Sequence, residues 1–389
     1  MKILLLHQFF KTPQTGGAIR SYYLAKALVD HGHTIAVITT YNGQTYTIEN
    51  IEGIEVHFLP IAYDNRFSFF KRAGAFIHYV LSAARLSGEF KTFDKCYAIS
   101  VPLTVGIIAR WNKFRYGMPY LFEVGDLWPD VPIQMGFIRN YFFKITLLAL
   151  EKSIYYHAES VVALSEPIRQ AIQEKITDKA VHCIPNMADC DYYFPGEKNS
   201  SLEKKFRVNE KFVVIYAGAL GVANGLHYML ACAEASQFEK LPVHFIICGD
   251  GAMREPLISR AFELDLKNIS ILPFVNREGV REIMNITDAV FVAYENVPIL
   301  ETGSPNKYFD GLSGGKLIIT NFGGWIKKEI VESGCGISLD PLDEMDFIKK
   351  IQPFLSDRKL LDQYQQASRK LAEKKYSREL LSEAFAKLF

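Results

Sequence analysis

Short, largely apolar runs of four to seven residues recur along nearly the whole chain, alternating almost throughout with helix-period segments. The first series of runs falls at residues 2–7, 34–40, 55–60, 95–99, 120–124, 160–163 and 180–184. Helical patterns separate them at 18–31 (closed by Gly32), 103–112, 141–157 and 167–174. A polar segment at 189–210 interrupts the pattern and reads as a linker. A second series follows, with strands at 212–218, 243–249, 269–272, 289–293, 317–320 and 336–339, and helices at 226–235, 254–264 and 277–286. After Leu342 the chain reads as helical to its end. Strand–helix alternation of this kind predicts parallel sheets covered by helices. With 389 residues, two domains are expected. The predicted class is α/β, two lobes each built on a parallel sheet, with a ligand cleft where strand ends face each other.

Bulk composition narrows the function. A net charge of +1 gives no support for a nucleic-acid partner. The 6 cysteines form no CxxC pair and read as reduced thiols, the usage of a cytoplasmic protein. The 9 histidines show no HExxH spacing, so no metal site is expected. The opening MKILLLHQ is too short and unmarked for a signal peptide and reads as a buried strand. No run reaches the ~18 apolar residues of a membrane span.

The most informative stretch is ETGSPNKYFDGLSGGKLIITN, from Glu301 to Asn321. Ser304 and Pro305 read as a helix start, a capping hydroxyl followed by proline. Lys307 then sits in the first turn, where the helix dipole already disfavours a cation by a few tenths of a kcal/mol. A bound anion would reverse that sign. Asn306, Lys307 and Asp310 share one helical face. An ordinary solvated Lys–Asp pair is the competing reading.

Other loops repeat the theme of glycine with a cation. TPQTGGAIRSYY carries Gly16, Gly17 and Arg20 between a strand and its helix, without the GxGxxG dinucleotide fingerprint. IYAGALGVANG carries Gly218, Gly221, Asn224 and Gly225; CGDGAMRE carries Gly249, Asp250, Gly251 and Arg254. The loops after Gly218 and after Gly249, with the one before Lys307, make three in one lobe and suit a diphosphate. YLFEVGDLWPD displays Glu123 and Asp126 at a strand end, where a carboxylate can act as base or orienting group or simply cap a helix. Two stretches, from Arg66 to Leu86 and from Ile138 to Tyr156, mix basic and aromatic residues, among them Phe67, Phe69 and Phe70. They fit either a membrane interface or core-facing amphipathic helices.

In combination these strings resemble family 4 glycosyltransferases. TGGA with HGH matches the family's start, and VIYAG, CGDGAMRE and SPNKYFDGLSGGK match its donor domain; the DLWP segment resembles a subgroup of bacterial surface-polysaccharide transferases. The resemblance implies the GT-B fold, two Rossmann-like lobes facing a cleft, with the C-terminal segment (about 376–389) returning to domain 1–195 and residues 196–375 holding the donor. It implies metal-independent, retaining transfer from a nucleotide diphosphate sugar, UDP-linked by family weight. The acceptor would be a glycan or a polyprenyl-diphosphate-linked sugar at the inner face of the cell membrane. Gly16, Gly17, Arg20 and Asp126 would serve the acceptor, with Gly17 also near the donor. Arg254 and Lys307 would neutralise diphosphate, and Asp126, Lys307 and Arg254 form the expected catalytic set. Asp310 takes the place of the second Glu in the family's spaced-Glu motif, on the ribose; Phe274 and Val275 would cradle the base. Gly221, Asn224, Gly249, Ser304 and Asn306 complete the expected donor set. The motif's first Glu would fall on Thr302, with Glu301 one residue away, and Asn224 stands at the approximate place of a family Lys. A GT-B epimerase or phosphorylase shares the implied fold, and the departures at Thr302 and Asn224 leave room for a non-catalytic nucleotide-sugar binder.

Overall fold

The structure is a computed structural model that describes residues 1–17, 19–64 and 67–389. Ala18 and Arg66, each the first residue of an expected segment, lie outside the described residues, as does the side chain of Phe69. The chain divides into two compact units. One comprises Met1–Pro185, Thr302–Ser304 and Glu379–Phe389; the other comprises Asn186–Glu301 and Pro305–Arg378.

The first unit runs β1 (Lys2–Leu6), α1 (Arg20–Asp30), β2 (Thr34–Tyr41), β3 (Thr47–Ile51), β4 (Ile54–Pro60), α2 (Phe69–Leu86), β5 (Lys95–Ile99), α3 (Val105–Tyr116) and β6 (Tyr120–Val124). It continues through α4 (Asp130–Gln134), α5 (Tyr141–His157), β7 (Ser160–Ala163), α6 (Glu166–Lys175) and β8 (Ala180–Cys183). The strands form one sheet in the order β3-β4-β2-β1-β5-β6-β7-β8. Every pairing is parallel except β3 with β4. β3 was not expected: TIENI leaves its three central residues exposed, so it lacks the apolar run that marks the inner strands. Right-handed crossovers fix which face each helix covers. The β1–β2 crossing runs toward the β3 edge and puts α1 on one face. The crossings that carry α2, α3 and α5 run toward β8 and put those helices on the other.

The second unit holds α7 (Ser200–Phe206), β9 (Phe212–Ala217), α8 (His227–Phe238), β10 (Val243–Cys248), α9 (Arg254–Glu263), β11 (Ile269–Leu272), α10 (Arg277–Ile286) and β12 (Ala289–Val292). Then come α11 (Asn306–Ser313), β13 (Leu317–Thr320), α12 (Gly324–Ser333), β14 (Gly336–Ser338), α13 (Asp346–Ser356) and α14 (Arg358–Leu371). Its six-stranded sheet has the order β11-β10-β9-β12-β13-β14, parallel throughout. Tyr216, Phe245, Phe291 and Phe347 lie at the centre of its apolar core.

The segment expected as a linker is tied to this second unit. Asp189 accepts from Arg378 Nη1 at 2.8 Å and also from Arg277, and Lys198 Nζ meets Asp288 at 2.5 Å. α15 (Arg378–Ala386) ends the chain. Its Phe385 packs on Tyr97 of β5, ring centroids 4.8 Å apart.

Candidate active site

In the second unit, parallel pairing of β9 with β10 brings Ala217 opposite Cys248, so the loops that leave the two strands run side by side. Gly218 N donates to Cys248 O at 2.9 Å, and Leu220 N donates to Asp250 O at 2.9 Å. The approach is too close for side chains. A Cβ on Gly249 would stand 1.8 Å from Gly218 O, and one on Gly251 would stand 2.5 Å from Leu220 O. The third member of the group is the first turn of α11. A Cβ on Gly218 would lie 3.4 Å from Lys307 Cε, so the lysine stem passes directly over that glycine. Lys307 Nζ sits 4.7 Å from the Tyr216 ring centroid and 6.0 Å from that of Tyr294. Two glycine loops and one helix start therefore converge around a single ammonium.

The helix begins later than expected. Pro305 is the boundary residue, extended at φ −72 and ψ 129, and no side chain caps the helix. Ser304 is buried among residues of the first unit and does not occupy the capping position. The boundary residue Pro305 itself thus offers no side-chain oxygen to the backbone donors at the α11 start.

Among the described residues Lys307 makes no hydrogen bond or ion pair; its contacts are the two aromatic rings. Burial pulls its ammonium down to about 8, with Asp310 partly offsetting the shift. Burial likewise lifts the Asp310 carboxyl to about 7. Arg277 and Lys307 pull it back, and Asp189 pushes it further up. Both side chains keep some exposure, so they are crowded by protein without being sealed in a core. A pair of this kind favours an incoming anion near the lysine and hydroxyl donors near the aspartate.

The other expected donor residues divide. Arg254 opens α9; its Nη1 donates to Glu255 Oε1 at 2.7 Å, while Nε is buried with no partner among the described residues. An unsatisfied guanidinium donor beside the Gly249–Gly251 turn suits an anion. Asn224 holds its own loop, its Oδ1 accepting from Gly221 N at 3.2 Å. Phe274 is 60% exposed and Val275 half-buried, on the loop after β11. Asn306 is exposed. Glu301 Oε1 accepts from Gly323 N at 3.2 Å, which places its carboxylate at the start of α12. Thr302 belongs by its contacts to the first unit, where its carbonyl accepts from Ser165 Oγ at 2.5 Å. Sequence reasoning missed Tyr216 and Arg277. Nothing in an apolar strand or a helix start marks one ring as the platform for a distant lysine.

In the first unit Gly16 and Gly17 take φ values of 70 and 87, within the left-handed region. Arg20 departs from its expected acceptor role. It is buried, with Nε and Nη2 on both oxygens of Glu123 at 2.9–3.2 Å and further bonds to the carbonyls of Ile184 and Pro185. Tyr97 also donates to Glu123. This is a structural brace linking α1, β5, β6 and the chain after β8, and its burial follows from the α1 face that carries it. Asp126 is exposed just past β6, yet the surrounding protein raises its carboxyl above the usual range. His7 donates to or accepts from Ser21 at 2.8 Å and is pushed down to about 4 by burial, so it is neutral near pH 7. Among the described residues no cluster of three His, Cys, Asp or Glu side chains is placed to hold a metal ion.

Two family models match this arrangement. The one described as "Glycosyl transferase 4-like domain" matches residues 15–187, and "Glycosyl transferases group 1" matches residues 197–371. The chain belongs to the GT-B glycosyltransferases of family 4 type. No curated protein sequence matches it. Solved structures do. This glycosyltransferase resembles sucrose-phosphate synthase (tll1590) from Thermosynechococcus elongatus, TM-score 0.79 at 14% identity over 100% of this chain and 98% of that one. It resembles HepE of Anabaena in complex with UDP-glucose, TM-score 0.74 at 17% identity over 100% and 99%. It also resembles WaaG, a glycosyltransferase involved in lipopolysaccharide biosynthesis, TM-score 0.68 at 13% identity over 98% of each chain. At these identities the likeness is one of fold.

Proposed function

We propose that this transferase moves a sugar from a UDP-linked donor to a glycan or lipid-linked acceptor, with retention of anomeric configuration, in the assembly of a bacterial surface polysaccharide. The observation that carries the donor half is Lys307, an unpaired, partly buried ammonium at a helix start beside two glycine loops. Arg254 Nε and the backbone donors of α11 would share the diphosphate with it. The bond between the anomeric carbon and the diphosphate oxygen breaks, and charge grows on the leaving group. Groups that hold that charge more tightly than the ground state lower the barrier. The acceptor oxygen forms the new bond on the same face and passes its proton to a departing phosphate oxygen. Asp126 orients the acceptor, Asp310 accepts from the ribose hydroxyls, and Phe274 with Val275 flanks the base. Charge neutralisation is assigned to protein cations, with no metal in the scheme. HepE, crystallised with UDP-glucose, and WaaG, placed in lipopolysaccharide biosynthesis, support the donor and the pathway class. The DLWP segment supports the same class, and the reading places the enzyme at the inner face of the cell membrane.

The test is a thermal-shift panel of nucleoside diphosphates and nucleotide sugars. At a hundredfold excess over Kd, a true ligand stabilises the fold by about 2.7 kcal/mol. Stabilisation by UDP and UDP-sugars is expected; a flat response across the panel defeats the reading. With a responding donor and a lipid-linked acceptor, NMR of the product's anomeric proton reads retention. Conversion of the donor without acceptor would instead identify an epimerase.

A further inference from the structure

The three helices α2, α3 and α5 of the first unit form one outer layer, because their crossovers all run the same way across the sheet and α3 packs against both neighbours. Contact is close where Gly106 of α3 meets Ile154 of α5: a Cβ there would lie 2.6 Å from the isoleucine. The outward surface of this layer is not that of a solvated helix. On α2, Ile77 and Leu81 are 60% and 66% exposed, one turn apart on a single stripe with Phe70 and Arg85. On α3, Trp111 and Phe114 are 45% and 85% exposed, their ring centroids 6.5 Å apart. On α5, Phe142 is 79% exposed. Scattered surface apolars are ordinary, but rows of them on three neighbouring helices are not.

Charge identifies the occupant. Across all three helices the only acidic residue is Glu151, and it is buried against Lys175. Exposed Lys71, Arg85, Arg115 and Lys152 stand among the aromatics. The chain as a whole carries only +1, so positive charge is concentrated here and balanced elsewhere. A second copy would meet this face with the same charge and be repelled. Basic side chains interleaved with Trp, Phe and Leu match the headgroup–acyl boundary of an anionic bilayer. Among the described residues no helix is long and apolar enough to cross a membrane. The geometry points to the α2–α3–α5 face as a docking surface for an anionic lipid bilayer, with the aromatic tips in the acyl boundary and the basic rim on the headgroups. α3 is the central contact, since it lies between the other two.

This inference rests on the membrane-facing part of the proposed function and gives it a surface. The test uses the full chain with phosphatidylcholine vesicles, with and without phosphatidylglycerol. Sedimentation with the phosphatidylglycerol vesicles is expected, weakening as salt rises and accompanied by a blue shift of Trp111 emission, read against a Trp111→Phe control. The triple variant Leu81→Ser, Phe114→Ser, Phe142→Ser should lose at least tenfold in partitioning. Its melting temperature and its stabilisation by UDP should match the parent protein. Absence of vesicle binding, or binding unchanged in the variant, overturns the proposal while leaving UDP recognition intact. A concentration-dependent dimer that the same variant abolishes would assign the face to a second copy and overturn it equally. Loss of UDP stabilisation in the parent protein would strike the transferase reading alone.

Discussion

Lys307 lays its stem over Gly218 and its ammonium against the ring of Tyr216, 4.7 Å from the centroid. The relationship joins the end of β9 and the loop that follows it to the first turn of α11, far along the chain. A cation held over an aromatic face keeps part of its electrostatic stabilisation without a carboxylate, on the order of 1 kcal/mol. It therefore stays open to an anion that a salt bridge would have displaced.

Replacing Lys307 with Met should separate binding from folding. The ligand-free protein should melt at the same temperature or higher, because a desolvated charge is removed. Activity should fall by roughly two to three orders of magnitude in kcat/KM, the scale of losing one preorganised charge-stabilising donor. Steady-state kinetics alongside calorimetry would check both halves, and near-normal turnover would remove Lys307 from the mechanism.

The Lys307–Asp310 pair also sets a pH window. Binding of a diphosphate needs the ammonium, so UDP affinity should drop as pH rises through about 8. Acceptance of ribose hydroxyl protons needs the carboxylate, so affinity should also drop as pH falls through about 7. Titration calorimetry should show a maximum between these values, with limiting slopes of about tenfold per pH unit. In the ligand-free protein the stability effect is separate. Lys307's folded value lies below its ordinary 10.5, so its penalty is present below about 8 and is relieved as pH climbs toward 10.5. A UDP affinity flat from pH 6 to 9 would exclude the pair from the site.

Two neighbouring glycines should respond differently to alanine. Gly249→Ala drives a Cβ into the Gly218 carbonyl, a backbone clash that no rotamer relieves, and should cost several kcal/mol or prevent folding. Gly218→Ala meets the flexible end of Lys307 at 3.4 Å, although its φ of +152 adds strain. Its effect on UDP affinity should therefore be large relative to its effect on stability. Urea unfolding with and without UDP measures the contrast.

Glu123→Gln tests the brace in the first unit. It leaves the Arg20 guanidinium, 8% exposed, without its counter-charge. The cost should be about 3–5 kcal/mol of unfolding free energy, as for a broken buried pair. A loss under 1 kcal/mol would mean the pair is not the brace described.

Much of the strand and helix order was legible because parallel strands buried by helices need unbroken apolar runs, and KILLL, YLFEV and VHFIIC are such runs. β3 was not legible, since an exposed edge strand has no such requirement. α12 was not expected: it starts on two glycines without a capping side chain of its own, and the acceptor at its start is the distant Glu301. The anion-site reading of Lys307 came from a local misfit, a cation where the helix dipole disfavours one. Arg20 showed the same misfit and turned out to be buried on Glu123. One chain segment cannot distinguish an arginine that waits for a ligand from one whose partner lies a hundred residues away.

The return of α15 to the first unit decides how this protein can be divided. A fragment cut at Pro185 keeps every strand of the first sheet but leaves Tyr97 without Phe385 and Phe389, the rings that close over it. The first half is therefore incomplete until the last eleven residues, Glu379–Phe389, have been made. During synthesis the first unit cannot close over Tyr97 until the second unit's residues have been made.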